Sequence, residues 1–330
     1  MRKYGLVYYH STENIGDDIQ SYAFARFMPS VDYLVDRENL DAFQTSGERI
    51  YTPIFGWLMH SPLNFPPSVY LTTDIISFHM AKAFDSYGYL YLKQHEPIGC
   101  RDTATLERLG ALGIDGYFSG CVTLTLERLS NATPHGKIVL VDVPETVEAY
   151  VKTQGADYLT RTHAVPIENK PSWAERTAAV EELLRLYQGA RLVITTRLHA
   201  ALPTLALGVP VLLVRDDFDS RFTPYLEHVR HLTVAEFLAG GYDLYNIVGN
   251  SNTHLKLRQE LIARIKKLFK DRSPLPLVEE KEILKDYEGR IYALKRDCLT
   301  LQQRQEATLK EVNRELKERG YNIYFTVDQQ

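Results

Sequence analysis

From residue 5 to about residue 235 the chain alternates short apolar runs with amphipathic stretches of helical spacing. That alternation leaves few architectures open. A strand of four to six consecutive apolar residues has no polar face to give to water, so helices must cover it on both sides. The pattern predicts parallel sheet built from strand-helix units. GLVYYH (5–10) leads through the polar turn STENIGDD into the helix IQSYAFARFM, which Pro29 stops. VDYLV (31–35), RIYTPIF (49–55) and DIISFHM (74–80) read as further strands. EPIGCRD enters the helix TATLERLGALG, and YFSGCVTLTL (117–126) is expected to be a strand. Between two of these, WLMHSPLNFPPS carries three prolines among aromatics and suits an ordered loop beside a site.

After the turn cluster NATPHG (131–136) the pattern restarts. It runs through KIVLVDV, ETVEAYVKTQ, DYLTRTHAV, SWAERTAAVEELLRLYQGA, RLVITT, RLHAALPTLALG and VPVLLV. With 330 residues, about twice the usual ~150-residue domain, the expectation is two doubly wound α/β domains, residues 1–133 and 134–252. A ligand is then expected at the carboxyl ends of strands, in the cleft between the units.

Residues 253–330 change character. In LKLRQELIARIKKLFKDR (255–272), Leu257, Leu261, Ile265, Leu268 and Phe269 share one face, with seven Lys/Arg against two acids. Leu284, Tyr287, Ile291, Leu294, Cys298 and Leu301 then follow at steps of 3 and 4, a coiled-coil seam that gives way to Gln305 and Thr308. Three readings stay open for this helical segment: it packs back on the protein, pairs with a second subunit as a homodimer, or docks a partner. The basic face at 255–272 also admits a peripheral membrane contact.

Composition narrows the function. Lys plus Arg number 38 against 42 Asp plus Glu, a net charge of −4, so no global field draws the chain to nucleic acid and any bound anion must meet a local site. The cysteines Cys100, Cys121 and Cys298 are odd in number and lack metal-ligand spacing, which favours a reduced, cytoplasmic chain without a disulfide framework or structural zinc; separately, no cofactor is expected. The apolar opening is about six residues, short of a signal peptide's roughly 7–15-residue core. No run of about 18 apolar residues appears to span a membrane. No G-x-S-x-G elbow, Walker loop or H-E-x-x-H motif is present.

Three segments hold groups suited to chemistry. In RLVITTRLHAALPTLALGVPVLLV (191–214), Arg197 and His199 fall where a buried strand meets a helix N-terminus, a place that favours an anion. Arg197 as a local cap and His199 as a core histidine remain the structural alternative. In GCRDTATLERL (99–109), Arg101 follows a strand end, either as an anion clamp or as a salt-bridge partner of Asp102. In STENIGDDIQ (11–20), Gly16 permits a tight turn, Asn14 bends the chain, and Asp17 serves either as an acid/base or as a helix cap. His60, His79 and Arg161 with His163 sit at loops or strand ends, and Ser119 and Thr196 are small polar residues placed to line the cleft.

Together N-I-G-D-D-I-Q-S (14–21), G-C-R-D-x-x-T-L-x-x-L (99–109), Y-F-S-G-C-V-T-L-T-L and T-T-R-L-H-A-A-L-P-T-L-A-L-G-V-P-V (195–211) resemble the polysaccharide pyruvyl transferase family over roughly residues 4–235. The resemblance implies two facing Rossmann-like domains of GT-B type. It also implies transfer of the enolpyruvyl unit of phosphoenolpyruvate onto a hydroxyl pair of a sugar or surface glycan, giving a pyruvate ketal. Carried over by position, His199 is expected in catalysis and Asp17 matches the N-terminal motif on the acceptor side; the proton transfers of the reaction make Asp17 or His79 the expected second acid/base group. Arg197 and Arg101, with Thr196 and Ser119, are expected on the donor side; Asn14, His60, His79 and Arg161 on the acceptor side. A GT-B glycosyltransferase using a nucleotide sugar, for which Glu227 is a candidate ribose ligand, and a non-catalytic glycan-assembly protein are the alternatives. The sequence departs from the family where I-F-G-W-L-M-H replaces a glycine-rich turn and where the C-terminal helices extend the chain.

Overall fold

The computed structural model describes residues 1–165, 172–319 and 325–326. The first half comprises β1 (Lys3–Tyr8), α1 (Ile15–Ala25), β2 (Tyr33–Asp36), β3 (Ile50–Tyr51), β4 (Ile54–Leu58), β5 (Leu71–Thr72), β6 (Ile75–Met80), α2 (Ser86–Gln94), β7 (Ile98–Cys100), α3 (Thr103–Ala111) and β8 (Gly116–Phe118). The second comprises β9 (Ile138–Val141), α4 (Glu145–Thr153), β10 (Tyr158–Arg161), α5 (Trp173–Gly189), β11 (Leu192–Thr195), α6 (Leu198–Ala206), β12 (Val211–Val214), β13 (Arg230–Leu232) and α7 (Val234–Leu238). The long helices α8 (His254–Leu268) and α9 (Glu280–Glu318) follow.

All strand pairings in these sheets are parallel, as the apolar runs predict. The second half forms one sheet of order β10-β9-β11-β12-β13. The first half forms two four-stranded ladders, β2-β1-β3-β5 and β4-β6-β7-β8. They are continuous: Thr52 N donates to Thr72 O and Ile54 N to Asp74 O, both at 2.8 Å, across the break between them. Pro53 lies at that break and lacks the N–H a ladder needs.

The first half departs from the sequence reading at three places. The expected strand over 117–126 ends at Phe118, Gly120 turns the chain at φ +78°, and Val122–Thr125 forms a buried 3₁₀ turn. An apolar run marks burial, and burial alone does not choose between strand and turn. Helix α2 has no counterpart in the sequence reading; Asp85 caps it by accepting from Gly88 N. Helix α1 starts at Ile15, ahead of the expected 19, because Asn14 caps it through Gly16 N.

The two halves share an apolar core. Leu6, Ile19 and Phe24 of the first belong to the same buried cluster as Leu184, Ala201 and Leu202 of the second. A buried ion pair also joins them, with Arg176 Nη1 3.0 Å from Asp18 Oδ1; burial pushes the Asp18 carboxyl up to about 6. Backbone bonds from Ile15 N to His163 O and from Val165 N to Glu13 O tie the start of α1 to the chain after β10. Helix α8 spends its apolar face on this body: Leu261, Ile265 and Phe269 are buried, and Phe269 lies among Tyr4, Phe24 and Tyr51. Among the described residues no helix is long and apolar enough to cross a membrane.

Candidate active site

A cavity of about 530 Å³ opens at the carboxyl ends of the strands, between the N-terminal turns of α1 and α6. Gly16 sets the closeness of that approach: a Cβ there would lie 3.0 Å from His199 Cβ and 3.3 Å from its Nδ1. Beneath it, a recess of about 130 Å³ is bordered by Asn14, Arg101, His163, Arg197, His199, Arg215 and Arg221, among others.

Two arginines come from the first half. Arg37 follows β2 and is 5% exposed, its guanidinium 4.0 Å from the Tyr9 ring centre and donating from Nη1 to Asp17 Oδ1 at 3.0 Å. Arg101 follows β7 and is 3% exposed; its Nη1 donates to Gln20 Oε1 at 2.7 Å. Gln20 Nε2 donates in turn to Asp17 Oδ1 at 3.2 Å. One helical turn of α1 therefore ties both cations into a single chain, Arg101 to Gln20 to Asp17 to Arg37. Thr12 Oγ1 donates to the other Asp17 oxygen at 2.9 Å, so this carboxylate is engaged at both oxygens. That geometry makes Asp17 a holder of Arg37.

The second half contributes three more. Arg197 stands at the N-cap position of α6 without a capping side-chain bond; its side chain is 45% exposed and its Nε donates to Asp142 Oδ2 at 2.9 Å. Arg215 follows β12, lies over the Phe222 ring at 4.0 Å and donates from Nη1 to Thr196 O. Arg221 makes a two-point contact with Asp219, from Nε at 2.9 Å and Nη2 at 2.6 Å. Among the described residues, the buried Nε atoms of Arg101 and Arg215 and Nδ1 of His163 have no hydrogen-bond partner. The two guanidinium nitrogens, in residues around one small recess, are an unmet demand for an acceptor, since an unpaired buried polar group is costly.

The histidines differ in environment. Burial, then the charge of Arg101, holds His199 well below the usual histidine range, which favours the neutral imidazole. Its Nε2 lies 3.7 Å from Cys121 Sγ. The expectation of a proton shuttle poised near neutral pH thus requires a change of charge nearby. Burial also lowers His163, to about 4, and its Nε2 pairs with the Tyr187 hydroxyl at 2.8 Å. His79 pairs through Nδ1 with Asp102 Oδ2 at 2.6 Å, in an adjoining hollow bordered also by Trp57 and Arg221. Burial lowers His79 and outweighs the Asp102 hydrogen bond, which raises it.

The cavity and its recess bring together Asn14, Asp17, His60, Arg101, Thr196, Arg197 and His199 from the sequence expectations. His60 is held at the rim by Glu38 and lies tilted against Trp57, their ring centres 4.5 Å apart, so the proline-rich loop borders the cavity. Two expectations fail. Ser119 is 2% exposed, accepting from Ser77 N and donating to Cys100 O, so it cross-links β6, β7 and β8 instead of facing the cleft. Arg161 borders a separate hollow with His135 and Glu182. Arg37, Arg215 and Arg221 were missed. Arg37 and Arg215 directly follow strands, the position that drew attention to Arg101, but neither stands in a recognisable motif.

The fold and this site define an α/β protein with an arginine-lined cavity at the carboxyl ends of its strands. Residues 80–217 match the family model for polysaccharide pyruvyl transferase, which implies a transferase enzyme. The span contains the 99–109 and 195–211 motifs, whereas the N-I-G-D-D element at 14–21 lies outside it. None of the curated proteins compared matches the chain. Among solved structures, a functionally uncharacterised protein from Klebsiella pneumoniae is 14% identical with a TM-score of 0.44, the alignment covering 68% of this chain and 87% of that one. The UDP-GlcNAc 2-epimerase of Methanocaldococcus jannaschii is 11% identical with a TM-score of 0.38, covering 88% of this chain and all of that one.

Proposed function

We propose that this chain transfers the enolpyruvyl unit of phosphoenolpyruvate to two hydroxyls of a sugar or glycan, forming a pyruvate ketal and releasing phosphate. The observation that carries this reading is the recess bordered by Arg101, Arg197, Arg215 and Arg221, with buried guanidinium nitrogens awaiting an acceptor. Phosphoenolpyruvate has a carboxylate and a phosphate on one small frame, and guanidinium groups bind both in two-point fashion.

The chemistry balances with these residues. Protonation of the enol carbon makes the adjacent carbon electrophilic, and one sugar hydroxyl adds there as it loses its proton. Phosphate then departs with its bridging oxygen, and the second hydroxyl closes the ketal. Arginines hold the leaving phosphate and stabilise its charge. An anion seated beside His199 offsets the cationic field and raises its proton affinity, so donor binding itself would charge the proton donor. His79, whose Nδ1 is fixed by Asp102, presents its remaining ring nitrogen as base for an acceptor hydroxyl. His60 and Asn14 border the acceptor approach.

The test is phosphate release from phosphoenolpyruvate in the presence of a wide panel of glycans and lipid- or nucleotide-linked sugars. Acceptor-dependent release is expected, with thermal stabilisation by phosphoenolpyruvate alone. Stabilisation by nucleotide sugars and not by phosphoenolpyruvate would overturn the reading.

A further inference from the structure

Helix α9 is 39 residues long, about 58 Å at 1.5 Å per residue. Only its first half rests on the body. Gly289 lies against Tyr87 of α2, Ala293 is buried, Asp286 accepts from the Tyr87 hydroxyl, and Asp297 accepts from Ser86 N. At 100° per residue these positions centre about a third of a turn away from the apolar seam. The seam therefore faces solvent: Leu284, Tyr287, Ile291, Leu294 and Leu301 are 44–63% exposed, and Cys298 is exposed. Such a stripe on a projecting helix is out of keeping with a solvated surface.

We propose that the seam is closed by the same seam of a second copy of this chain, running antiparallel, independently of the enzymatic reading. The pattern itself argues for the occupant and its direction. The seam is bounded by Glu280 and Lys281 before it and by Gln305 and Thr308 after it. Centred between Ile291 and Leu294, an antiparallel pair sets Leu284 opposite Leu301 of the partner subunit, Tyr287 opposite Cys298 of the partner subunit, and Ile291 opposite Leu294 of the partner subunit. Each of the six layers is apolar, and the bulkiest side chain meets the smallest. On the flank away from α2, Glu288 faces Lys295 of the partner subunit, and symmetry repeats the attraction. A parallel pair in register gives Lys295 no such partner: it would approach Arg290 of the partner subunit, a guanidinium already held within its own chain by Asp286 at 2.9 Å and by Pro66 O at 2.8 Å. Charge thus selects the antiparallel form.

Light scattering after size exclusion at tens of micromolar tests this on the full chain. A mass twice that of one chain is expected, and Ile291→Asp with Leu294→Asp should reduce it to one chain with unchanged circular dichroism, since both side chains face solvent in the single copy. Lys295→Glu should weaken association about tenfold, and adding Glu288→Lys should restore it. Tyr287→Cys should give a covalent dimer with Cys298 on mild oxidation, whereas the unaltered chain should give none. A monomeric unaltered chain, a dimer that survives the double aspartate variant, tighter association of Lys295→Glu, or oxidative cross-linking of the unaltered chain through Cys298 would each overturn the proposal.

Discussion

The two walls of the cleft hold their arginines differently. On the first-half wall, Arg37 and Arg101 are 5% and 3% exposed and locked through Asp17 and Gln20 of one helical turn. On the second-half wall, Arg215 keeps a buried Nε over Phe222, but the Arg197 and Arg221 side chains are 45% and 42% exposed, each paired with a single carboxylate. The difference teaches a division of labour. The buried wall is desolvated before any ligand arrives and keeps its geometry, which is what preorganised anion binding requires. The exposed wall can exchange Asp142 or Asp219 for a ligand oxygen at small cost, because half-exposed ion pairs are weak.

That contrast can be broken experimentally. Arg101→Lys keeps the charge but loses the planar fork, and should lower phosphate release, as kcat/KM, by about a hundredfold or more. Arg197→Lys should cost only about tenfold. Equal losses, or a larger loss at Arg197, would erase the distinction between the walls.

Acid stability probes the buried groups behind the second wall. His163 has a folded-state pKa of about 4, below its unfolded value near 6.5. Its stabilising contribution is therefore complete above pH 6.5 and lost as pH falls through 4, a change of about 3 kcal/mol. Asp18, raised to about 6, acts in the opposite direction over an overlapping range. Comparing denaturant midpoints of the unaltered chain and His163→Asn between pH 7 and 4 cancels that common part. The variant should show a markedly flatter loss on acidification.

The meeting point of the walls gives the next effect. Glycine to alanine in a helix ordinarily stabilises by up to about 1 kcal/mol. Gly16→Ala should do the reverse, costing about 1–3 kcal/mol in chemical denaturation, because its Cβ would press on His199 and Asn14. The smallest effect is expected from Asp142→Asn, which frees the exposed Arg197: phosphoenolpyruvate affinity by calorimetry should change less than tenfold.

The family motifs made half of this asymmetry legible. Arg101, Arg197 and His199 were visible because each follows an apolar run that had to be a strand, and strand ends in such folds face the ligand. Gln20 was not, because an amide in an amphipathic helix carries no local mark of the guanidinium it will meet 81 residues away. Ser119 misled for the opposite reason: a small polar residue near a strand end suits a cleft and a sheet cross-link equally well.

What the amino-acid order alone determined is what depends on neighbours in the chain: parallel α/β architecture, the buried strands, and the seam on α9. Only tertiary structure decided which arginines share the recess, that the neutral form of His199 is favoured there, that Arg161 looks elsewhere, and which face of α9 is left to solvent. Those properties depend on burial and on charges brought close from distant segments, and neither quantity exists until the chain has closed on itself.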